Sequence, residues 1–202
     1  MKNYQKKPNI APVVTIIIIA ALALGGIYLL GRGQGAVANG SGTAGDINDL
    51  VGRPAPRFSL QDRNGTTYTN ESLKGKDVVL FFNEGIMCYP ACWNQMAALG
   101  QLDNSNTVAL SVVIDQPSEW QSAIQRMPQI ASATVLFDTD KSVSNEYGML
   151  TVGSSMHYGS YPGHTFVVID GQGVVRFVFD DPDMGIDNDK IASELRSLSA
   201  GS

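Results

Sequence analysis

The chain has 202 residues, of which 44% are hydrophobic and 16% are charged, and its formal net charge is −5. Without the three lysines that precede residue 10, the net charge is −8. This acidity argues against a nucleic-acid partner, because nucleic-acid binding needs clustered Lys and Arg side chains. Once the first 45 residues are set aside, about 157 remain, enough for one well-packed domain of the usual size.

The N-terminal residues have the pattern of a membrane tether. Residues 1–9 are polar and carry Lys2, Lys6 and Lys7, and residues 10–31 contain no charge. A run of this length spans a bilayer core, so we expect residues 1–9 in the cytoplasm, one transmembrane anchor at 10–31 and an extracytoplasmic domain. A cleaved signal peptide is the alternative, because Ala36-Val37-Ala38 resembles a cleavage site, although the apolar run is longer than a signal peptide needs. Either way, a disulfide can persist in the domain.

Residues 32–46 are rich in Gly, Ala and Ser and predict a flexible linker, which leaves residues 47–202 as the domain. The domain opens with a strand ending near Leu60, a turn at 62–65, a strand at 66–69 and a brief helix capped by Asn70 or Ser72. Apolar runs predict buried strands at 78–82, 107–114 and 134–137. Helices are expected at 91–102, 118–129 (with a capping box of Ser118 and Gln121), 142–147 and 188–198. Strands at 164–169 and 174–179 flank a hairpin turn. This alternation indicates an α/β fold.

The only two cysteines, Cys88 and Cys92, follow the strand at 78–82 and border the helix at 91–102. Open α/β sheets place their chemistry in such strand-to-helix loops. We expect Cys88 just before or at the helix cap and Cys92 in the first turn, where the helix N-terminus favours a thiolate. Positions four apart on a helix are about 6 Å apart, within the Cα range of a disulfide. The pair therefore fits one redox couple or one metal site.

Several segments resemble the thioredoxin-like superfamily. Within it, the resemblance is to the redoxin branch of thiol-specific antioxidant (alkyl hydroperoxide reductase-like) proteins, membrane-anchored thiol–disulfide oxidoreductases and Sco-type copper proteins. The matching segments are residues 52–60, 73–76, 78–82, the cysteine turn and 165–175. The resemblance extends over residues 47–198 and implies a thioredoxin-like fold, a central mixed sheet flanked by helices.

The chain departs from these families at the site. Thioredoxins have two residues between the cysteines, and this chain has three. Peroxiredoxins have Thr three residues and Pro seven residues before the peroxidatic cysteine. Here those positions hold Gly85 and Phe81 before Cys88, or Tyr89 and Gly85 before Cys92. His164 stands about where thioredoxins have a cis-proline and peroxiredoxins an arginine. Pro162 takes the proline role only if the loop carries an insertion.

Three functions remain open. The first is thiol–disulfide exchange with a thiol- or disulfide-containing protein partner and no organic cofactor, in which the more exposed Cys88 attacks and Cys92 resolves the mixed disulfide. In that reaction Glu84 could accept a proton from Cys92 if it is buried. The second is peroxide reduction through a sulfenic acid, for which the activating Thr and Arg are missing. The third is copper delivery, as in Sco-type proteins, with Cys88, Cys92 and His157 or His164 as soft ligands.

Overall fold

The computed structural model describes residues 46–103 and 105–200. Within them the strands are β1 Ser59–Asp62, β2 Thr67–Thr69, β3 Asp77–Phe82, β4 Thr107–Val113, β5 Val135–Phe137, β6 Thr165–Ile169 and β7 Val175–Asp180. The α-helices are α1 Ala91–Leu99, α2 Trp120–Arg126, α3 Ser142–Glu146 and α4 Asn188–Ala200. The predicted strand positions are confirmed, with ends that differ by at most two residues.

The strands form one mixed sheet in the order β2-β1-β5-β4-β3-β6-β7. Strand β3 runs parallel to β4 and antiparallel to β6, and β4 runs parallel to β5. The predicted hairpin joins β6 to β7, with Thr165 opposite Asp180 and a register shift between Val168 and Ile169. The thioredoxin-like α/β fold predicted from the sequence is therefore confirmed.

The sheet is covered on both faces, which explains why β3 is apolar without alternation. Val78, Leu80 and Phe82 belong to one hydrophobic cluster, and Val79 and Phe81 belong to the other. Residues of β3 alternate between the clusters because successive strand side chains point to opposite faces. The second cluster also contains both cysteines and Trp93, so the cysteine pair is part of the core.

Two local predictions are wrong. Residues 70–75 form turns instead of a brief helix, because Gly75 has a left-handed φ of +83° and its N–H donates to the Gly171 carbonyl at 2.9 Å instead of to a preceding helical turn. The helix expected at 118–129 is interrupted: α2 lies between 3₁₀ turns at Pro117–Glu119 and Pro128–Ser132. Proline disfavours the helical conformation in the residue before it, so Pro128 ends α2. The cap uses the carboxylate of Glu119, which accepts the Gln116 N–H at 3.0 Å, in place of Ser118 and Gln121.

Among the described residues, no helix combines the length and the apolar character that a bilayer crossing needs. The anchor predicted at residues 10–31 and the linker, apart from Asp46, lie outside those residues. Asp46 accepts the Asn48 N–H at 2.9 Å and caps a 3₁₀ turn at Ile47–Leu50.

Candidate active site

The two cysteines lie in the loop between the central strand β3 and helix α1. A 3₁₀ turn at Gly85–Cys88 follows β3, and α1 begins at Ala91 with Cys92 in its first turn, as the sequence predicts. The cysteines form a disulfide with their Cα atoms 5.4 Å apart, close to the separation expected from helical spacing. The Cys92 N–H also points at the Cys88 Sγ, 3.3 Å away.

Both sulfurs are nearly inaccessible in this disulfide form. Cys88 is 3% exposed and Cys92 is 0% exposed. Cys88 is thus the outer cysteine, as expected, although its exposed fraction is only slightly larger than that of Cys92. Met184 lies against the outer cysteine, with its Sδ 4.0 Å from the Cys88 Sγ. An attacking thiol therefore approaches Cys88 past the side chain of Met184.

His164 lies on the inner side of the disulfide. Its Nδ1 is 3.6 Å from the Cys92 Sγ, and its side chain is fully buried at the start of β6. Burial lowers the pKa of His164 to about 4, although the charge of Asp181 opposes this effect. The imidazole is therefore neutral at pH 7 and can direct one N–H at the sulfur that leaves when the disulfide opens.

Pro162 is buried two residues before His164. Tyr89–Pro90 is the one cis peptide bond in the described part of the chain, so the bond that precedes Pro162 is trans. Pro162 accordingly lacks the geometry of a thioredoxin cis-proline, and His164 occupies the position beside Cys92.

Glu84 is buried, but its contacts join it to a loop instead of to Cys92. Its carboxylate accepts the Met156 N–H at 2.7 Å and the His157 N–H at 3.1 Å, and it lies 3.0 Å from the His157 Nδ1. The other predicted histidine, His157, is therefore engaged with Glu84. Glu84 holds the loop that follows α3 against the cysteine turn.

Asp115 is a residue of the site that sequence reasoning missed. It follows β4, and its Oδ2 accepts the Ile86 N–H at 3.0 Å. The turn is fixed from its other sides by Trp93, whose Nε1 donates to the Gly85 carbonyl at 3.0 Å, and by Asn83, whose Oδ1 accepts the Gly85 N–H at 2.9 Å. Burial raises the pKa of Asp115 to about 6, and the Ile86 N–H opposes the shift. An acidic residue directly after a buried parallel strand was the available signal.

The ligands predicted for copper are partly brought together. Cys88, Cys92 and His164 each offer an atom within 4.8 Å of the others, whereas His157 is paired with Glu84. The disulfide removes both thiolates in the oxidised form, so these three residues can bind a soft metal only after reduction.

A cysteine pair between the central strand and the following helix of a mixed sheet defines the class of thioredoxin-like redoxins. Residues 51–178 match the AhpC/TSA family, and the chain belongs to that family.

Similar proteins agree with this assignment. The chain is 26% identical over 136 residues to the chloroplastic peroxiredoxin Q of Populus jackii, covering 64% of this chain and 60% of that protein. It is 28% identical over 144 residues to peroxiredoxin Bcp of Escherichia coli K12, covering 68% and 85%. A peroxiredoxin-like protein from Aquifex aeolicus shares the fold, with a TM-score of 0.61 at 18% identity over 73% of this chain and 86% of that one. The chain thus spans about three fifths of the chloroplastic relative and most of the bacterial one.

Proposed function

We propose that this chain is a thiol–disulfide oxidoreductase in which Cys88 and Cys92 alternate between dithiol and disulfide. The observation that carries the proposal is the disulfide itself, formed in the strand-to-helix loop with the neutral imidazole of His164 beside Cys92. The family and its relatives support redox chemistry at this position. The reaction needs a protein partner with its own thiols or disulfide and no organic cofactor.

The geometry supports a defined order of events. A partner thiolate attacks the Cys88 Sγ, the outer sulfur, and the bond between Cys88 and Cys92 breaks. The electron pair of that bond passes to the Cys92 Sγ, which lies 3.6 Å from the His164 Nδ1; in the tautomer with its proton on Nδ1, the imidazole donates to the leaving thiolate. A second partner thiolate then attacks the mixed disulfide and releases Cys88 as a thiolate. The partner leaves as a disulfide and the pair as a dithiol, and the reverse sequence oxidises a substrate.

The proposed location is the outer face of a cell membrane, with the domain held by the anchor at residues 10–31. The support is the uncharged run of residues with lysines before it. Protease treatment of intact cells tests this: the domain should be digested from outside. Protection in intact cells, with digestion only after lysis, would contradict the location.

Peroxide reduction is the second candidate, favoured by family membership and by relatives that are named peroxiredoxins. In that reaction a cysteine thiolate attacks the peroxide, becomes a sulfenic acid and condenses with the other cysteine, releasing water. The position three residues before Cys88 holds Gly85, which offers no hydroxyl. The reduced pair with His164 is also a possible Cu(I) site.

A redox titration of the full-length chain distinguishes these candidates. The chain is equilibrated in chelator-treated glutathione buffers and its free thiols are alkylated. Intact mass spectrometry then reports the fraction of chains in which the cysteines are reduced. Thiol–disulfide exchange predicts a reversible two-electron transition that disappears in Cys88→Ser and in Cys92→Ser. Cysteines that stay reduced throughout, or that form only intermolecular adducts, would refute exchange. Stopped-flow oxidation by hydrogen peroxide that outpaces oxidation by disulfides would favour the peroxidase, and tight Cu(I) binding by the reduced chain alone would favour copper delivery.

A further inference from the structure

Two carboxylates lie near His164, on the segment that follows β7. A ring nitrogen of His164 and one oxygen each of Asp181 and Asp187 lie within 4.8 Å of one another. His164 is 0% exposed and Asp181 is 6% exposed. The hairpin brings Asp181 next to His164, because the Asp181 N–H donates to the His164 carbonyl at 2.9 Å. The three side chains form a compact cluster that the redox reaction does not use directly.

Two buried atoms of this cluster have no hydrogen-bond partner among the described residues. They are the His164 Nε2 and the Asp187 Oδ2. Since the Nδ1 of His164 faces Cys92, the Nε2 is the ring nitrogen left to face the carboxylates. An unsatisfied buried acceptor costs about 1–3 kcal/mol, so two in one place indicate a missing partner.

The charges of the cluster point to a cation as that partner. One oxygen each of Asp181 and Asp187 lies within 4.8 Å of the His164 ring nitrogen and of the other, so two carboxylates converge on one imidazole. The nearby Lys190 is directed elsewhere, because its Nζ lies 3.2 Å from the centre of the Phe179 ring. No ion pair within the described residues joins Lys190 to either carboxylate.

The carboxylates are also held in position. Asp181 accepts the Asp183 N–H at 3.0 Å and the Gly185 N–H at 2.7 Å, which fixes its orientation and leaves further lone pairs available. The Asp187 N–H donates to the Oε1 of the buried Gln95 at 2.8 Å. Such supporting bonds are typical of the shell that surrounds a metal ligand.

We infer that His164, Asp181 and Asp187 form a binding site for a borderline divalent cation such as Zn²⁺. One imidazole nitrogen and two carboxylate oxygens are ligands that Zn²⁺ accepts, at about 2.0–2.2 Å. No ligand is a thiol, so the site is present in the disulfide form.

The proposed redox function gives this site a consequence, which rests on that function. A cation on the Nε2 of His164 fixes the tautomer that has its N–H on Nδ1, aimed at Cys92, and makes that N–H a stronger donor. The Cys92 thiolate of the reduced form is then stabilised. We therefore expect Zn²⁺ to shift the redox midpoint towards the dithiol. The cation also anchors the segment that carries Met184 over Cys88.

The test measures Zn²⁺ binding to the full-length chain with the disulfide intact, by competition with a chromophoric chelator. We expect one Zn²⁺ per chain. Asp187→Asn and His164→Asn should weaken binding at least about tenfold, because at metal sites in general even the loss of a residue that supports a ligand has an effect of that size. Asp183→Asn, an exposed acid on the same segment, is the matched control and should bind normally. The double variant Cys88→Ser/Cys92→Ser should also bind normally, and circular dichroism checks that each variant folds.

Absence of binding to the oxidised chain would overturn the inference, as would equal affinity in Asp187→Asn and Asp183→Asn. Binding that is lost in the double cysteine variant would assign the metal to the thiols and would also overturn it. The two proposals fail separately. Zn²⁺ binding by a chain whose cysteines do not exchange refutes only the redox function, and a normal redox transition without Zn²⁺ binding refutes only the metal site.

Discussion

The carboxylate of Asp115 occupies the space that a side chain at Gly85 would need. A Cβ at Gly85 would overlap the Asp115 Oδ2, and Gly85 has a φ of +60°. A left-handed residue with a Cβ costs about 1–2 kcal/mol by itself, and the contact adds to that cost. The peroxiredoxin threonine therefore has no room at this position unless Asp115 moves.

We predict that Gly85→Ala destabilises the fold by roughly 2–4 kcal/mol, because the carboxylate must leave the Ile86 N–H. The matched control is Gly65→Ala, which has φ +81 but meets nothing within 4 Å. Urea unfolding measures both. Equal losses of unfolding free energy in the two variants would show that the contact with Asp115 contributes nothing. In an Asp115→Ala background, Gly85→Ala should cost less than it does in the wild type.

The buried carboxylate of Asp115 predicts a pH-dependent stability. Its pKa is raised to about 6, whereas the unfolded chain has an ordinary aspartate pKa. The folded state therefore holds a proton that the unfolded state has lost, and stability falls as pH rises from about 4 to about 6.

Asp115→Asn keeps an acceptor for the Ile86 N–H and removes the titration. We expect it to match the wild type near pH 4 and to exceed it by about 1–2 kcal/mol at pH 7, after allowance for solvent screening. Urea unfolding at four pH values measures the difference. A difference between Asp115→Asn and the wild type that does not change with pH would contradict this account.

Glu84 should hold in place the loop that contains Met156 and His157, because its carboxylate accepts both backbone N–H groups. In Glu84→Gln the charged acceptor of two N–H groups becomes neutral, so we expect a loss of about 1–3 kcal/mol in unfolding free energy. Hydrogen exchange of the Met156 and His157 amides should accelerate. The variant His157→Ala removes only the side-chain contact and should leave the Met156 amide protected. Unchanged exchange in Glu84→Gln would rule out this role.

Met184 should slow the approach of thiols to the disulfide. Because its Sδ lies against the Cys88 Sγ, Met184→Ala exposes the sulfur that is attacked. We expect reduction by dithiothreitol to accelerate at least about threefold, since exchange rates depend on access. Met156→Ala, at a methionine that is 59% exposed, is the control and should react at the wild-type rate. Equal rates in the two variants would exclude a covering role.

The sequence predicts the fold and the cysteine turn well because both depend on local patterns. The apolar run at residues 78–82 identifies a strand buried on both faces, and the adjoining turn carries both cysteines. The contact of Asp115 with Ile86 depends instead on the parallel register of β3 and β4, with Phe82 opposite Val112, which no local pattern specifies. The membrane anchor at residues 10–31 stays a prediction.

Other parts of the site depend on loops whose paths are set by packing. Glu84 meets His157 across 73 residues of sequence, and nothing in either segment indicates the contact. The pairing of His164 with Asp181 was only approached from the sequence, because the predicted hairpin, with position 169 opposite 174, places position 164 opposite position 179 instead of 181. The register shift at Val168 and Ile169 must be known before that counting is reliable.

The disulfide of this chain closes a loop of only four residues in sequence separation. In the chain-entropy account, so small a ring restricts the unfolded chain little and contributes about 2 kcal/mol, well below the effect of a long-range crosslink. The sheet and both hydrophobic clusters therefore do not depend on the crosslink to stay folded. The domain can give up and regain its disulfide repeatedly while keeping its architecture, as a carrier of electron pairs requires.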